Sequence, residues 1–113
     1  MGLFFREKHQ YIRSEKLLRL VANMPCQSCY KYGETQAAHT NWGHGKGRGV
    51  KADDNYVAAL CQTCHYLIDQ GATMTKRERQ EMWHRAFVRT MEKIRKDNQW
   101  PVGVPFPDLD RWY

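Results

Sequence analysis

The spacing of apolar positions divides the chain into elements before any reactive side chain is considered. Leu17, Leu18, Val21 and Met24 recur at helical spacing behind Ser14, whose hydroxyl suits an N-cap, and Pro25 cannot continue a helix. A first helix from Glu15 to about Asn23 is predicted. The dozen residues before it mix aromatics and charge without periodicity, and read as an arm or a frayed helix. Thr35-Gln36-Ala37-Ala38-His39 reads as a short strand, and Tyr56 to Leu60 as a second. Between them, Gly43-His44-Gly45-Lys46-Gly47-Arg48-Gly49 sets four glycines at alternate positions and predicts a loop. From Cys61 a helix should run to about Gln70, ended by Gly71. Thr75-Lys76-Arg77-Glu78 is a capping box opening a long helix to about Asp97. Met82/Trp83, Ala86/Phe87, Thr90/Met91 and Ile94 give that helix one apolar face, which reads as core. In the tail, Pro101, Pro105 and Pro107 stand among Trp100, Phe106, Trp112 and Tyr113, predicting an extended segment that packs back on the domain.

Length and composition narrow the class. A chain of 113 residues is one domain's worth, and 42% apolar with 27% charged residues is ordinary globular composition, not that of a disordered chain. No apolar run approaches the ~20 residues of a membrane span. Met1-Gly2-Leu3-Phe4-Phe5-Arg6 meets charge too early for a secretory core, so a cytoplasmic, reducing setting is expected. Residues 1–52 carry nine Lys and Arg against three acidic groups, so the whole excess of +6 lies there, and residues 53–113, nine against nine, are neutral. A one-sided basic excess suits a polyanionic partner, although solubility alone also accounts for charge.

The cysteines carry more information. All four fall in two Cys-x-x-Cys pairs, Cys26/Cys29 and Cys61/Cys64. In a reducing compartment a disulfide framework is disfavoured, and no βαβ pattern surrounds either pair to support a redox reading. Two residues between thiolates let both point at one ion, and two such knuckles complete a closed tetrahedral zinc site. A structural Zn²⁺ is therefore expected, and its binding serves a small domain as folding energy.

Within the span of these knuckles a His, an Asn and a His follow in order. His39 ends the first strand, Asn55 precedes the second, and His65 directly follows the last cysteine. The chain resembles the HNH endonucleases, whose ββα-metal site is built from a strand His, an Asn and a helix His. It is most similar to the zinc-knuckle branch found in small phage- and prophage-encoded proteins. The likeness is carried by Gln36-Ala37-Ala38-His39, by Gly45 to Asn55, and by Leu60-Cys61-Gln62-Thr63-Cys64-His65, within a run from Pro25 to Gly71.

The resemblance implies roles. His39 becomes the general base, which a neutral imidazole suits because it titrates near working pH. Asn55 becomes the residue that orients this base by a hydrogen bond, although Asp53-Asp54-Asn55 also reads as a plain turn. His65 becomes a ligand of the catalytic ion. Many HNH enzymes carry a further ligand just before the base, and here that position is Ala38, which cannot bind metal. Asp69, one helical turn beyond His65 and near a helix C-terminus that disfavours a carboxylate, is the candidate second ligand. Such a pair leaves most coordination positions to water and phosphate oxygens, as suits Mg²⁺ or Mn²⁺. Lys46, Arg48 and Lys51, in and after the glycine loop, are candidate contacts to the nucleic-acid backbone, or else part of a solvated surface loop.

The expectation is a single α+β domain over residues 1–113. A small ββα-metal core, about residues 25–71, is stapled by a four-cysteine zinc site and flanked by helices at about 14–24 and 75–97, with a tail over 98–113. The expected activity is metal-dependent hydrolysis of phosphodiester bonds in DNA, in the cytoplasm of a bacterial host if phage or prophage encoded, with no membrane partner and no small-molecule cofactor. The alternative is a zinc-stabilised module that binds nucleic acid without cutting it.

Overall fold

The computed structural model describes residues 11–39 and 53–110. Five elements follow in order: α1 Glu15–Ala22, β1 Thr35–His39, β2 Val57–Cys61, α2 Gln62–Gln70 and α3 Lys76–Lys96. The glycine loop with Lys46, Arg48 and Lys51, and the aromatic pair Trp112 and Tyr113, lie outside the described residues.

A helix as short as α1 is marginal alone. It forms here because the Ser14 hydroxyl accepts the Leu17 N–H at 3.1 Å, and because Leu17 and Val21 bury their side chains where α1 packs on both strands. The strands pair antiparallel, from Thr35 opposite Cys61 to His39 opposite Val57. All five residues of β2 are buried. Successive side chains alternate faces, so both faces of β2 are covered, which explains a continuous apolar run where a half-exposed strand would alternate. The outward edge of β2 is also closed. The Ala59 N–H donates to Thr90 Oγ1 at 3.0 Å, and the Ala59 carbonyl accepts the Gln27 N–H at 2.8 Å. Thr90 is a polar residue in the apolar stripe of α3 because it completes this edge, its hydroxyl donating in turn to the Ala86 carbonyl at 2.7 Å.

The rest of that stripe is core, as its spacing predicts. Trp83 and Phe87 are essentially fully buried and stack with centroids 4.9 Å apart, and Tyr56 stacks on Phe87 at 5.5 Å. The Trp83 indole N–H donates to the Ala38 carbonyl at 3.0 Å, so its one polar atom is satisfied inside the core. The capping box at Thr75 and Glu78 is formed. Arg79, on the first turns of α3, donates to the Ile68 carbonyl at 3.1 Å and so satisfies the C-terminal end of α2.

Element boundaries depart from the sequence expectation by single residues, each for a local reason. β2 starts at Val57 because the Tyr56 N–H closes a turn onto the Asp53 carbonyl at 3.1 Å. α2 starts at Gln62 because Cys61 is its N-cap, with Sγ accepting the Cys64 N–H at 3.4 Å. Gly71 does end α2, but with φ −60° it is not in the left-handed conformation usual for a glycine there. A glycine is required because a Cβ would lie 2.2 Å from the Leu67 carbonyl oxygen. The tail folds back: Trp100 packs edge-on to Phe106 at 4.7 Å, the Asp108 N–H donates to the Tyr56 hydroxyl at 3.0 Å, and His84 Nε2 donates to the Leu109 carbonyl at 2.6 Å.

Candidate functional site

The two Cys-x-x-Cys pairs meet at the open end of the hairpin, one ahead of β1 and the other where β2 passes into α2. Cys26 and Cys29 sit in the turn after α1, closed by Cys26 N–H to the Lys31 carbonyl and Tyr30 N–H to the Cys26 carbonyl, both at 2.9 Å. Cys61 ends β2 and Cys64 lies in the first turn of α2. Because Thr35 pairs with Cys61, the hairpin register carries the second knuckle beside the first. The four sulfurs lie within 4.8 Å of one another, close enough to hold a metal ion such as zinc.

Donor chemistry fits such an ion. A tetrahedral zinc with arms of about 2.3 Å places its sulfurs about 3.8 Å apart, and Cys29 Sγ and Cys61 Sγ stand 3.7 Å apart. Cys26 Sγ accepts the N–H groups of Ser28 and Cys29, each at 3.4 Å. Burial opposes ionisation of Cys26, but backbone donors outweigh it and bring the thiol down to about 6. Burial, aided by the Cys61 and Cys26 sulfurs, holds the Cys64 thiol well above its ordinary range. Four thiolates this close together repel, and a divalent cation relieves that repulsion.

Two histidine pairs flank the hairpin. His39, at the end of β1 with a side chain 37% exposed, places Nε2 2.9 Å from Asp54 Oδ1, a carboxylate only 7% exposed. Asp54 is itself held: its Oδ2 accepts the Ser14 N–H at 2.8 Å, and Arg13 Nη1 lies 3.5 Å from its Oδ1. A carboxylate only accepts, so Nε2 carries a proton, and in the neutral ring Nδ1 is left with a lone pair. Here the structure corrects the sequence. The partner of His39 is Asp54 and not Asn55, because the turn onto Asp53 directs Asp54 back at β1. Asn55, buried beside it, donates from Nδ2 to the Pro105 carbonyl at 3.0 Å and ties down the tail. Its Oδ1 has no hydrogen-bond partner among the described residues.

The second pair lies on α2. His65 Nε2 stands 3.2 Å from Asp69 Oδ2, the i, i+4 contact that their spacing predicts. His65 Nδ1 meets Gln36 Oε1 at 2.7 Å. Gln36 is two residues before Ala38 and so shares its strand face, and Ala38 itself is buried with its carbonyl engaged by Trp83. An amide oxygen only accepts, so Nδ1 carries a proton and Nε2 faces a carboxylate. In the neutral ring that nitrogen carries a lone pair beside the carboxylate, a pair of groups that could ligate a metal ion. Among the described residues only the cysteines form a cluster of three or more ligand atoms, so His39/Asp54 and His65/Asp69 are separate pairs. Gln36, Gln62, His65, Tyr66, Asp69 and Gln70 line a cleft of about 410 Å³ beside the second pair.

Sequence reasoning placed the cysteines, His39, His65 and Asp69, and missed Asp54 and Gln36 as their partners. The signal for Gln36 was available, since it lies at strand period from the position where a ligand was sought. Lys46, Arg48 and Lys51 fall outside the described residues. No helix among the described residues is long and apolar enough to cross a membrane. No curated protein and no solved structure matches the chain. A family model does match, over residues 1–94, and its description is a protein of unknown function, DUF968; the chain belongs to that family.

Proposed function

We propose that the chain is a metal-dependent endonuclease of the HNH type, hydrolysing phosphodiester bonds in DNA around a zinc-stapled ββα core. The observation that carries this reading is the pairing of half-exposed His39 with buried Asp54. It fixes the Nε2–H tautomer and leaves Nδ1 as a base that can take a proton from an attacking water. Asp54 supplies the orienting bond assigned above to Asn55, and also stabilises the imidazolium once the proton has moved. His65 and Asp69 would hold a Mg²⁺ or Mn²⁺ ion, with Gln36 fixing the tautomer of His65 from behind. Bound there, the ion supplies Lewis-acid stabilisation of the charge that develops on phosphate and leaving oxygens. Cys26, Cys29, Cys61 and Cys64 would hold zinc and act on the fold alone, joining the turn after α1 to the β2–α2 junction.

A second reading, a zinc module that binds nucleic acid without cutting, is favoured by Ala38: the position before the base histidine offers no ligand and is buried in the core. Supercoiled plasmid separates the two. The nuclease reading expects nicking by the purified chain that depends on added Mg²⁺ or Mn²⁺ and is lost in His39→Ala at unchanged zinc content. Retention of plasmid in a gel without cleavage under either ion supports the binding module.

A further inference from the structure

We infer that the cleft beside His65 takes an unpaired nucleobase, so that the strand cut is single-stranded or locally unpaired at this point. The inference rests on the nuclease reading for the word "cut", and on the cleft alone for the word "base". The cleft opens on α2, where the Tyr66 ring is 63% exposed and lines it together with Gln62, Gln70 and the His65–Asp69 pair. Neither Tyr66, Gln62 nor Gln70 makes a side-chain hydrogen bond or ring contact among the described residues. The lining contains no Lys or Arg and does contain Asp69, so a bare phosphate meets repulsion there unless a cation intervenes. A nucleobase meets the opposite: an aromatic face to stack on, and primary amides that each donate and accept along its edge. At about 410 Å³ the cleft is of the size that takes small-molecule groups. In a duplex both faces of a base are covered by its neighbours and its pairing edge is occupied. Only an unpaired base can lay a face on Tyr66 and offer that edge to Gln62 and Gln70.

The test uses the full chain with its zinc, without added Mg²⁺ or Mn²⁺ so that nothing is cut. A fluorescently labelled single-stranded oligonucleotide and the duplex of the same sequence are titrated by anisotropy. Tighter binding of the single strand is expected. Tyr66→Ala should weaken single-strand binding by about 5- to 150-fold, the range for loss of one stacked base. Tyr66→Phe should restore most of it, and duplex binding should change little in either variant. Equal losses on single strand and duplex, or no loss on the single strand, would overturn the inference. Binding of a free deoxynucleoside monophosphate with no binding of the oligonucleotide would overturn it too, by assigning the cleft to a nucleotide outside a strand. Failure of the nuclease reading shows separately: base discrimination through Tyr66 in a protein that cuts nothing supports the cleft assignment, while metal-dependent cutting indifferent to Tyr66 overturns it.

Discussion

Asp54 is the residue whose replacement separates structure from chemistry most cleanly, because its two oxygens do different work. Oδ2 accepts the Ser14 N–H at 2.8 Å, in front of α1, while Oδ1 faces His39 at 2.9 Å. Asp54→Ala removes both. It strands the N–H of Ser14, a residue only 9% exposed, at a cost of about 1–3 kcal/mol. The contacts to His39 and Arg13, whose side chains are 37% and 42% exposed, are screened and add roughly 0–1 kcal/mol each. A loss of about 1–5 kcal/mol is expected, read as a lower urea midpoint at unchanged slope. Asp54→Asn keeps the shape and can still accept from Ser14 through its oxygen, so its stability loss should be about 1 kcal/mol. Its amide then points at His39 Nε2 and donates, which moves the imidazole proton to Nδ1 and removes the base. Plasmid nicking by Asp54→Asn should fall by about 10²–10⁴-fold, the range for losing a general base, with zinc content unchanged. Nicking at the wild-type rate by a folded Asp54→Asn would refute the assignment of Asp54 as the residue that orients His39.

Other expectations follow from single contacts. Cys61→Ser removes one of the four sulfurs, while its hydroxyl can still accept the Cys64 N–H and cap α2, so any loss comes from the metal site. It should abolish zinc binding and the folded signal, and a folded, zinc-free Cys61→Ser by elemental analysis and circular dichroism contradicts the metal assignment. Gln36→Ala leaves every proposed ligand in place but frees the His65 ring, and should raise the Mn²⁺ concentration for half-maximal nicking by about 10–100-fold; an unchanged requirement contradicts Gln36 as the positioning residue of His65. Phe87→Ala should cost about 3–5 kcal/mol in urea unfolding, because Phe87 is fully buried between Trp83 and Tyr56. Gly71→Ala forces a Cβ against the Leu67 carbonyl and should lower the melting temperature although the residue lies at the surface; no change would mean that the end of α2 moves aside at no cost.

Much of the fold is legible in the sequence because its signals are local. Ser14, Thr75 with Glu78, and the apolar spacing in α1 and α3 each act within a turn or two, and each element forms where they predict. The knuckle spacing is equally local, and the hairpin register needs only to bring its two halves together. What the sequence hides are contacts made across the chain. Asp54 reads as a turn former, and its partners Ser14 and His39 lie 40 and 15 residues away. Gln36 reads as a polar residue on a short strand, and only the packing of α2 brings His65 onto it, 29 residues on. Asn55 shows the same limit from the other side: its neighbour Asp54 lies against His39, while its own amide reaches Pro105 in the tail, 50 residues away.

The central claim is that His39 acts as the base in metal-dependent cleavage, and chemical rescue tests it most directly. His39→Gly, purified beside the wild type and matched for zinc content, is incubated with supercoiled plasmid and Mn²⁺ over a range of added imidazole. The account predicts no nicking without imidazole and a rate that rises with imidazole concentration, while the wild type is indifferent to it. Wild-type nicking by His39→Gly, or lost nicking that no concentration of imidazole restores in a folded, zinc-loaded protein, would contradict it.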